Sequence, residues 1–206
     1  MSECTKSELD LFCLPPTQTA IEEGKWDTIN AETGFATNDM VTFKIQSTDT
    51  HYLDLSETQI FIKLKLMKLH TDGTIIELVA TDRVAPINNV LHSLFKQIKV
   101  KLNEKDVENS NCTYSYRSYI ENLLSHGKDA KETFLNNEGW ATDTATKFSS
   151  TTLEGADLNK GFVERKNWLV GREIELCAKI HSDVFNMNRY LLNKVDVSIE
   201  FTKNDK

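Results

Sequence analysis

The most regular feature of the chain is an alternation of apolar and polar side chains. From 98 to 102, Ile98, Val100 and Leu102 alternate with two lysines, which is the period-two pattern of a strand that buries one face. The runs 41–45, 60–67, 174–180 and 195–201 repeat this pattern. The pattern therefore predicts at least five half-buried strands. Their interior faces are expected to carry Ile62, Leu64, Ile98, Val100, Leu176, Val197 and Ile199.

One stretch changes to a helical period. Tyr116, Tyr119, Ile120 and Leu123 are spaced i, i+3, i+4 and i+7, so they share one stripe on a helix. Residues 103–105 precede this stretch as a tight turn after the strand at 98–102. We expect a helix over 116–124 that is docked on the sheet by its apolar stripe.

Several alternating strands with one or two short helices in the loops fit an all-β fold, a jelly-roll sandwich. Residues 1–30 are expected to form an N-terminal arm and an edge strand, since Pro15 and Pro16 favour an extended path. Residues 31–206 are then a single jelly roll. Within it, the polar segment at about 128–166 is expected to be an inserted surface excursion, anchored by Trp140, Phe148 and Phe162.

Composition narrows the function classes. The chain has 206 residues and a net charge of −7, so we expect no direct nucleic-acid binding, which depends on clustered cations. No apolar run approaches the ~18 residues of a membrane span. The polar, acidic first residues do not resemble a signal peptide, so we expect the protein in the cytoplasm or nucleus, and not secreted.

The sequence carries no pattern of a catalytic or ligand site. The five histidines, at positions 51, 70, 92, 126 and 181, are isolated, and no two are within five positions. A metal-dependent jelly-roll enzyme would need closely spaced histidines and a carboxylate. The four cysteines form no CxxC pair, and there is no phosphate loop or nucleophile elbow. We therefore expect no enzyme, with no catalytic residues, no cofactor and no metal site.

Blocks of residues in matching order along nearly the whole chain resemble a known family, with a weaker interval at about 130–166. The family is that of double jelly-roll major capsid proteins from Polinton/Maverick elements and adintoviruses, together with uncharacterised animal copies. The matching residues are 9–12, 15–19 and Trp26; 52–55; Pro86, Asn88, 91–95, Val100, Leu102, Asn103, Tyr114, Tyr116, Arg117, Tyr119, Glu121 and 123–124; and His181, Asp183, Phe185, 189–193, Val195 and Val197.

The resemblance implies a structural building block of an icosahedral capsid, one jelly-roll half of a hexon-like capsomer in the virion. Its expected partners are further copies in a trimer-like capsomer, a second jelly-roll protein and other capsid proteins. Because family members carry two jelly rolls, this sequence is either part of a longer chain or a jelly roll that stands alone. Self-association is expected through a sheet edge together with the arm at 9–16.

Two alternatives remain at this point. The chain could be a domesticated host copy that acts as a non-catalytic assembly or binding module. It could also be a ligand-binding jelly roll of the lectin type, although no aromatic platform flanked by paired carboxylates is visible in the sequence.

Overall fold

In the part of the chain that the structure describes, eight antiparallel strands form the body of the protein. A computed structural model describes residues 21–34 and 38–204. The strands are Met40–Ile45 (β1), Gln59–Leu64 (β2), Met67–Leu69 (β3), Ile75–Glu77 (β4), Phe95–Leu102 (β5), Lys105–Asn109 (β6), Ile174–Lys179 (β7) and Val197–Lys203 (β8).

The strands pair in a nested order. The largest sheet has the order β1-β8-β5-β6, while β2 pairs with β7 and β3 with β4. The first strand therefore pairs with the last, and the second with the last but one, as in a jelly roll. The registers place Phe43 opposite Ile199 and Ile62 opposite Leu176. The prediction of an all-β sandwich is confirmed.

The β2–β7 sheet and the four-stranded sheet share one hydrophobic core. Five of the seven residues expected in the interior are buried, namely Ile98, Val100, Leu176, Val197 and Ile199. Ile62 and Leu64 are only partly buried against this core. In the described residues β2 pairs with β7 alone, so it is an edge strand.

Helices connect the strands. They are Val90–Ser93 (α1), Tyr114–Ser125 (α2), Lys128–Glu132 (α3) and Lys160–Leu169 (α4), with 3-10 turns at Leu55–Glu57, Phe134–Glu138 and Val184–Asn186. This is more helix than the one or two short helices that the sequence indicated. No helix in the described ranges is long and apolar enough to cross a membrane.

Helix α4 had no sequence signal because its buried face is largely polar. Arg165 lies in the interior of the protein, where its guanidinium donates to the carbonyls of Pro86 and Ala141 and pairs with Asp143 at 2.9 Å. A buried cation is tolerated when its donors are satisfied in this way. The face therefore shows no apolar stripe that periodicity could detect.

The hairpin between β5 and β6 turns at the predicted place. Asn103 and Glu104 both have positive φ, 46° and 65°, as a two-residue type I′ turn requires. The Asn103 side chain accepts from the backbone N–H of Asp196 at 2.9 Å, which ties the turn to the start of β8. The hairpin thereby places β6 at the edge of the four-stranded sheet.

The segment at 128–166 is partly interior, not wholly a surface excursion as expected. Leu135 and Trp140 are buried, whereas Phe148 is 71% exposed. Gly139, at φ +80°, passes so close to α1 that a Cβ there would lie 2.2 Å from a methyl carbon of Val90. This close approach places Glu138 next to α1.

The predicted N-terminal arm falls mainly outside the described residues. Its described part, 21–30, has no regular secondary structure. The segment 9–16, expected to mediate self-association, lies entirely outside the described residues.

Candidate functional site

Helix α2 inserts polar side chains into the protein interior. Its buried residues are Tyr114, Ser118 and Asn122, which follow one another at i, i+4 and i+8 on one face. Ser118 accepts a hydrogen bond from the Asn89 amide at 3.1 Å, and the Asn122 amide donates to Glu138 at 2.8 Å. The inner face of α2 is thus a hydrogen-bonding surface.

Below this face lies a cluster of two histidines and a glutamate. One ligand-type atom from each of His92, Glu138 and His181 lies within 4.8 Å of the others. Nε2 of His92 is 3.6 Å from Oε2 of Glu138, and the two imidazole rings meet edge to face with centroids 4.6 Å apart. Nε2 of His92 is buried without a hydrogen-bond partner in the described structure.

Each member of the cluster is held by a residue of α2. Nδ1 of His92 is 2.9 Å from the Tyr114 hydroxyl. Nδ1 of His181 is 2.6 Å from a carboxylate oxygen of Glu121. The third holder is Asn122, which donates to Glu138. These contacts fix the orientation of both rings and of the carboxylate.

Burial favours the neutral form of the His92 ring. Burial lowers the pKa of His92, and the neighbouring Glu138 opposes this shift without overcoming it. Burial also raises the pKa of the Tyr114 hydroxyl above its usual value. Both effects follow from the cost of charging a group away from water. A neutral imidazole is the form that binds metal ions.

An ion-pair network surrounds the outer side of the cluster. The Arg117 guanidinium contacts Glu108 at 3.2 Å, Glu121 at 2.7 Å and Asp183 at 2.5 Å. Glu108, on β6, also accepts from the backbone N–H groups of Asp183 and Val184, both at 3.1 Å. The network connects α2, β6 and the segment after β7, so it holds the loop that carries His181.

Sequence spacing gave no indication of this cluster. His92 lies in α1, Glu138 ends a 3-10 helix, and His181 follows β7, so only the tertiary fold brings them together. His92 and His181 are isolated in the sequence but adjacent in the fold. The exposed His51 and His70 lie outside this cluster.

The outer face of α2 corrects a second expectation. The predicted helix and its apolar stripe are both present, but the stripe points away from the protein and not into the core. Leu124 is 78% exposed, Tyr116 72% and Ile120 52%. Tyr119 stacks on Trp140 with ring centroids 5.0 Å apart and is the member of the stripe with an aromatic contact to the body. The prediction that Leu123 packs on the sandwich is wrong.

Two of the sequence blocks quoted above meet on another surface. Leu53 and Leu191 form a backbone bridge, with N–H···O distances of 3.0 Å and 2.7 Å. Tyr52, Tyr190 and Leu192 flank this bridge and line an open groove of about 450 Å³. Blocks far apart in sequence therefore build one partly apolar surface.

Comparison with known proteins identifies a distant relative. No protein-family model matches the chain. The chain is similar to an uncharacterized protein of Caenorhabditis elegans, with 27% identity over 191 residues that cover 90% of this chain. The chain spans 42% of the length of that relative.

Proposed function

We propose that the protein is a non-catalytic building block of a viral or virus-derived icosahedral capsid, the jelly-roll half of a hexon-like capsomer. The capsid class rests on the resemblance of ordered blocks along the sequence. The sandwich with nested pairing of β1 with β8 and β2 with β7 agrees with this class.

The observation that carries the assembly role is the apolar outer face of α2. Tyr116, Tyr119, Ile120, Leu123 and Leu124 form a continuous exposed stripe. Covering apolar surface is favourable by ~25 cal/mol per Å² before the costs of association, and contiguous exposed patches mark interaction surfaces. The stripe is therefore the expected contact with another subunit.

The proposed partner is a second jelly roll, either in another copy of this chain or in a different capsid protein. The inner polar face of α2 is held by several hydrogen bonds, so the helix presents its outer face on a fixed support. A surface that is already ordered loses little conformational freedom when it binds. The groove at Tyr52 and Tyr190 provides a second apolar surface for such contacts.

Light scattering coupled to size exclusion tests this proposal. The wild-type chain is expected to self-associate as its concentration rises, and the double variant Ile120→Glu/Leu124→Glu is expected to elute as a monomer. The matched control, Leu69→Glu/Ile75→Glu, changes two exposed apolar residues on the β3–β4 hairpin and should associate as the wild type does. Negative-stain electron microscopy of the concentrated wild type then shows whether capsomer-like particles form.

A wild-type chain that stays monomeric at high concentration would contradict the assembly role. That result would favour the domesticated, non-assembling copy. Association that the control variant abolishes, while the α2 variant does not, would move the contact from α2 to the hairpin.

A further inference from the structure

We propose that His92, His181 and Glu138 bind one divalent transition-metal ion, with Zn²⁺ as the expected ion. This inference concerns the interior of the subunit and is independent of the assembly surface. Two imidazoles with one carboxylate are a recurring ligand set for zinc. Their donor atoms already lie within 4.8 Å of one another.

The observed spacing is close to that of a tetrahedral site. With metal–ligand bonds of about 2.0 to 2.2 Å, tetrahedral donors lie about 3.3 to 3.6 Å apart. Nε2 of His92 and Oε2 of Glu138 are 3.6 Å apart, which is longer than a hydrogen bond and within this range. The donor atom of His181 lies within 4.8 Å of the other two, so binding would draw it closer to them.

The unpartnered nitrogen of His92 points to a ligand. His92 is fully buried, and its Nε2 has no hydrogen-bond partner among the described residues. Leaving a buried polar atom without a partner is unfavourable, and native structures rarely do so. Coordination of a metal ion by this nitrogen would satisfy it.

The residues around the cluster are those that a metal site needs. A ligating histidine usually donates its second ring N–H to a carboxylate, a backbone carbonyl or water, and this oxygen acceptor fixes the ring and its tautomer. Tyr114 occupies this position for His92, and Glu121 occupies it for His181. Asn122 orients the Glu138 carboxylate. The polar inner face of α2 thereby acts as the outer sphere of the site.

The site lies near the surface on one side, and a bound ion would have a structural consequence. The side chains of Glu138 and His181 are 10% and 15% exposed, whereas His92 is fully buried. The bound ion would join α1, the 3-10 helix at Phe134–Glu138 and the segment after β7. Because the unfolded chain lacks this arrangement, the ion should stabilise the folded state.

Calorimetric titration of the chelator-treated full chain with ZnCl₂ tests the proposal. The expected result is one ion per chain with a micromolar or lower Kd, and a melting temperature that rises by at least about 4 °C in excess Zn²⁺. Titration with CoCl₂ should produce the visible absorption of cobalt in a tetrahedral or five-coordinate site. Glu138→Gln and His181→Asn should each weaken Zn²⁺ binding at least tenfold, whereas the exposed His70→Gln should leave it unchanged.

A conservative variant separates the effect of the Tyr114 hydroxyl on Zn²⁺ binding from the packing of the Tyr114 ring. Tyr114→Phe keeps the ring and removes the hydroxyl that contacts His92, so it should weaken Zn²⁺ binding about 10- to 100-fold. Wild-type protein that binds no ion at a stoichiometry of one would overturn the proposal. Binding that survives the double variant Glu138→Gln/His181→Asn would also overturn it, since the ion would then lie elsewhere. If the variants fail to fold, the wild-type stoichiometry and cobalt spectrum decide the outcome.

Discussion

The two faces of helix α2 reverse the arrangement of an ordinary surface helix. The inner face carries Tyr114, Ser118 and Asn122, which hydrogen-bond to other elements, while the outer face carries an apolar stripe that includes Ile120 and Leu124. An apolar stripe is stabilised by any contact that removes it from water. A buried amide or hydroxyl, by contrast, needs a specific hydrogen-bond partner. The comparison indicates that polar partners, and not apolar area, fix the orientation of this helix.

The largest expected loss of stability comes from a substitution at the N-terminal end of the inner face of α2. Tyr114 is fully buried and packs edge-on against Phe201, with ring centroids 6.0 Å apart. Tyr114→Ala should lower the free energy of unfolding by about 3 to 5 kcal/mol, the usual cost of emptying a large aromatic site. Urea denaturation followed by tryptophan fluorescence measures this change. A cost below about 1 kcal/mol would mean that the inner face does not hold the helix.

A smaller loss of stability is expected from a substitution further along the inner face of α2. Asn122→Ala removes the amide that donates to Glu138 and leaves a largely buried carboxylate without this donor. The expected destabilisation is about 1 to 3 kcal/mol. Asn137→Ala, at an exposed position in the neighbouring 3-10 helix, is the matched control and should be nearly neutral. Equal melting curves for the two variants would refute a structural role for the Asn122 contact.

The smallest change in the stability of the monomer is expected from a substitution on the outer face of α2. Leu124→Ala should change the stability of the monomer by less than about 0.5 kcal/mol, because the side chain is 78% exposed. Its effect should appear instead in association, measured by sedimentation at increasing protein concentration. A loss of more than about 2 kcal/mol in dilute protein would show that this face is covered within a single chain.

The five strands with alternating side chains and helix α2 were predictable from the sequence, because a period of two or of 3.6 is a local property. Strand β6 was not, since residues 105–109 show no such alternation. The face by which α2 packs on the protein was not predictable, since an apolar stripe can pack either against the core of its own chain or against another subunit. Ser118 and Asn122, four positions apart, were the available signal of a polar inner face. His92 offered another, as a histidine within the apolar run 91–95. Glu138 gave no local signal, because its position depends on how Gly139 passes α1.

The place of β8 in the sheet has a consequence for the order in which the protein is made and folded. β8 lies between β1 and β5, so within the described sheet β1 has no paired strand, and β5 is paired with β6 alone, until residues 197–203 have been synthesised. During translation the backbone edges of β1 and β5 that pair with β8 stay open until then. Sheets that depend on such distant pairings fold slowly and expose strands that aggregate. Helix α2 and the β5–β6 hairpin are local in sequence and can form first, which gives the nascent chain an early folded unit on which the late strand closes.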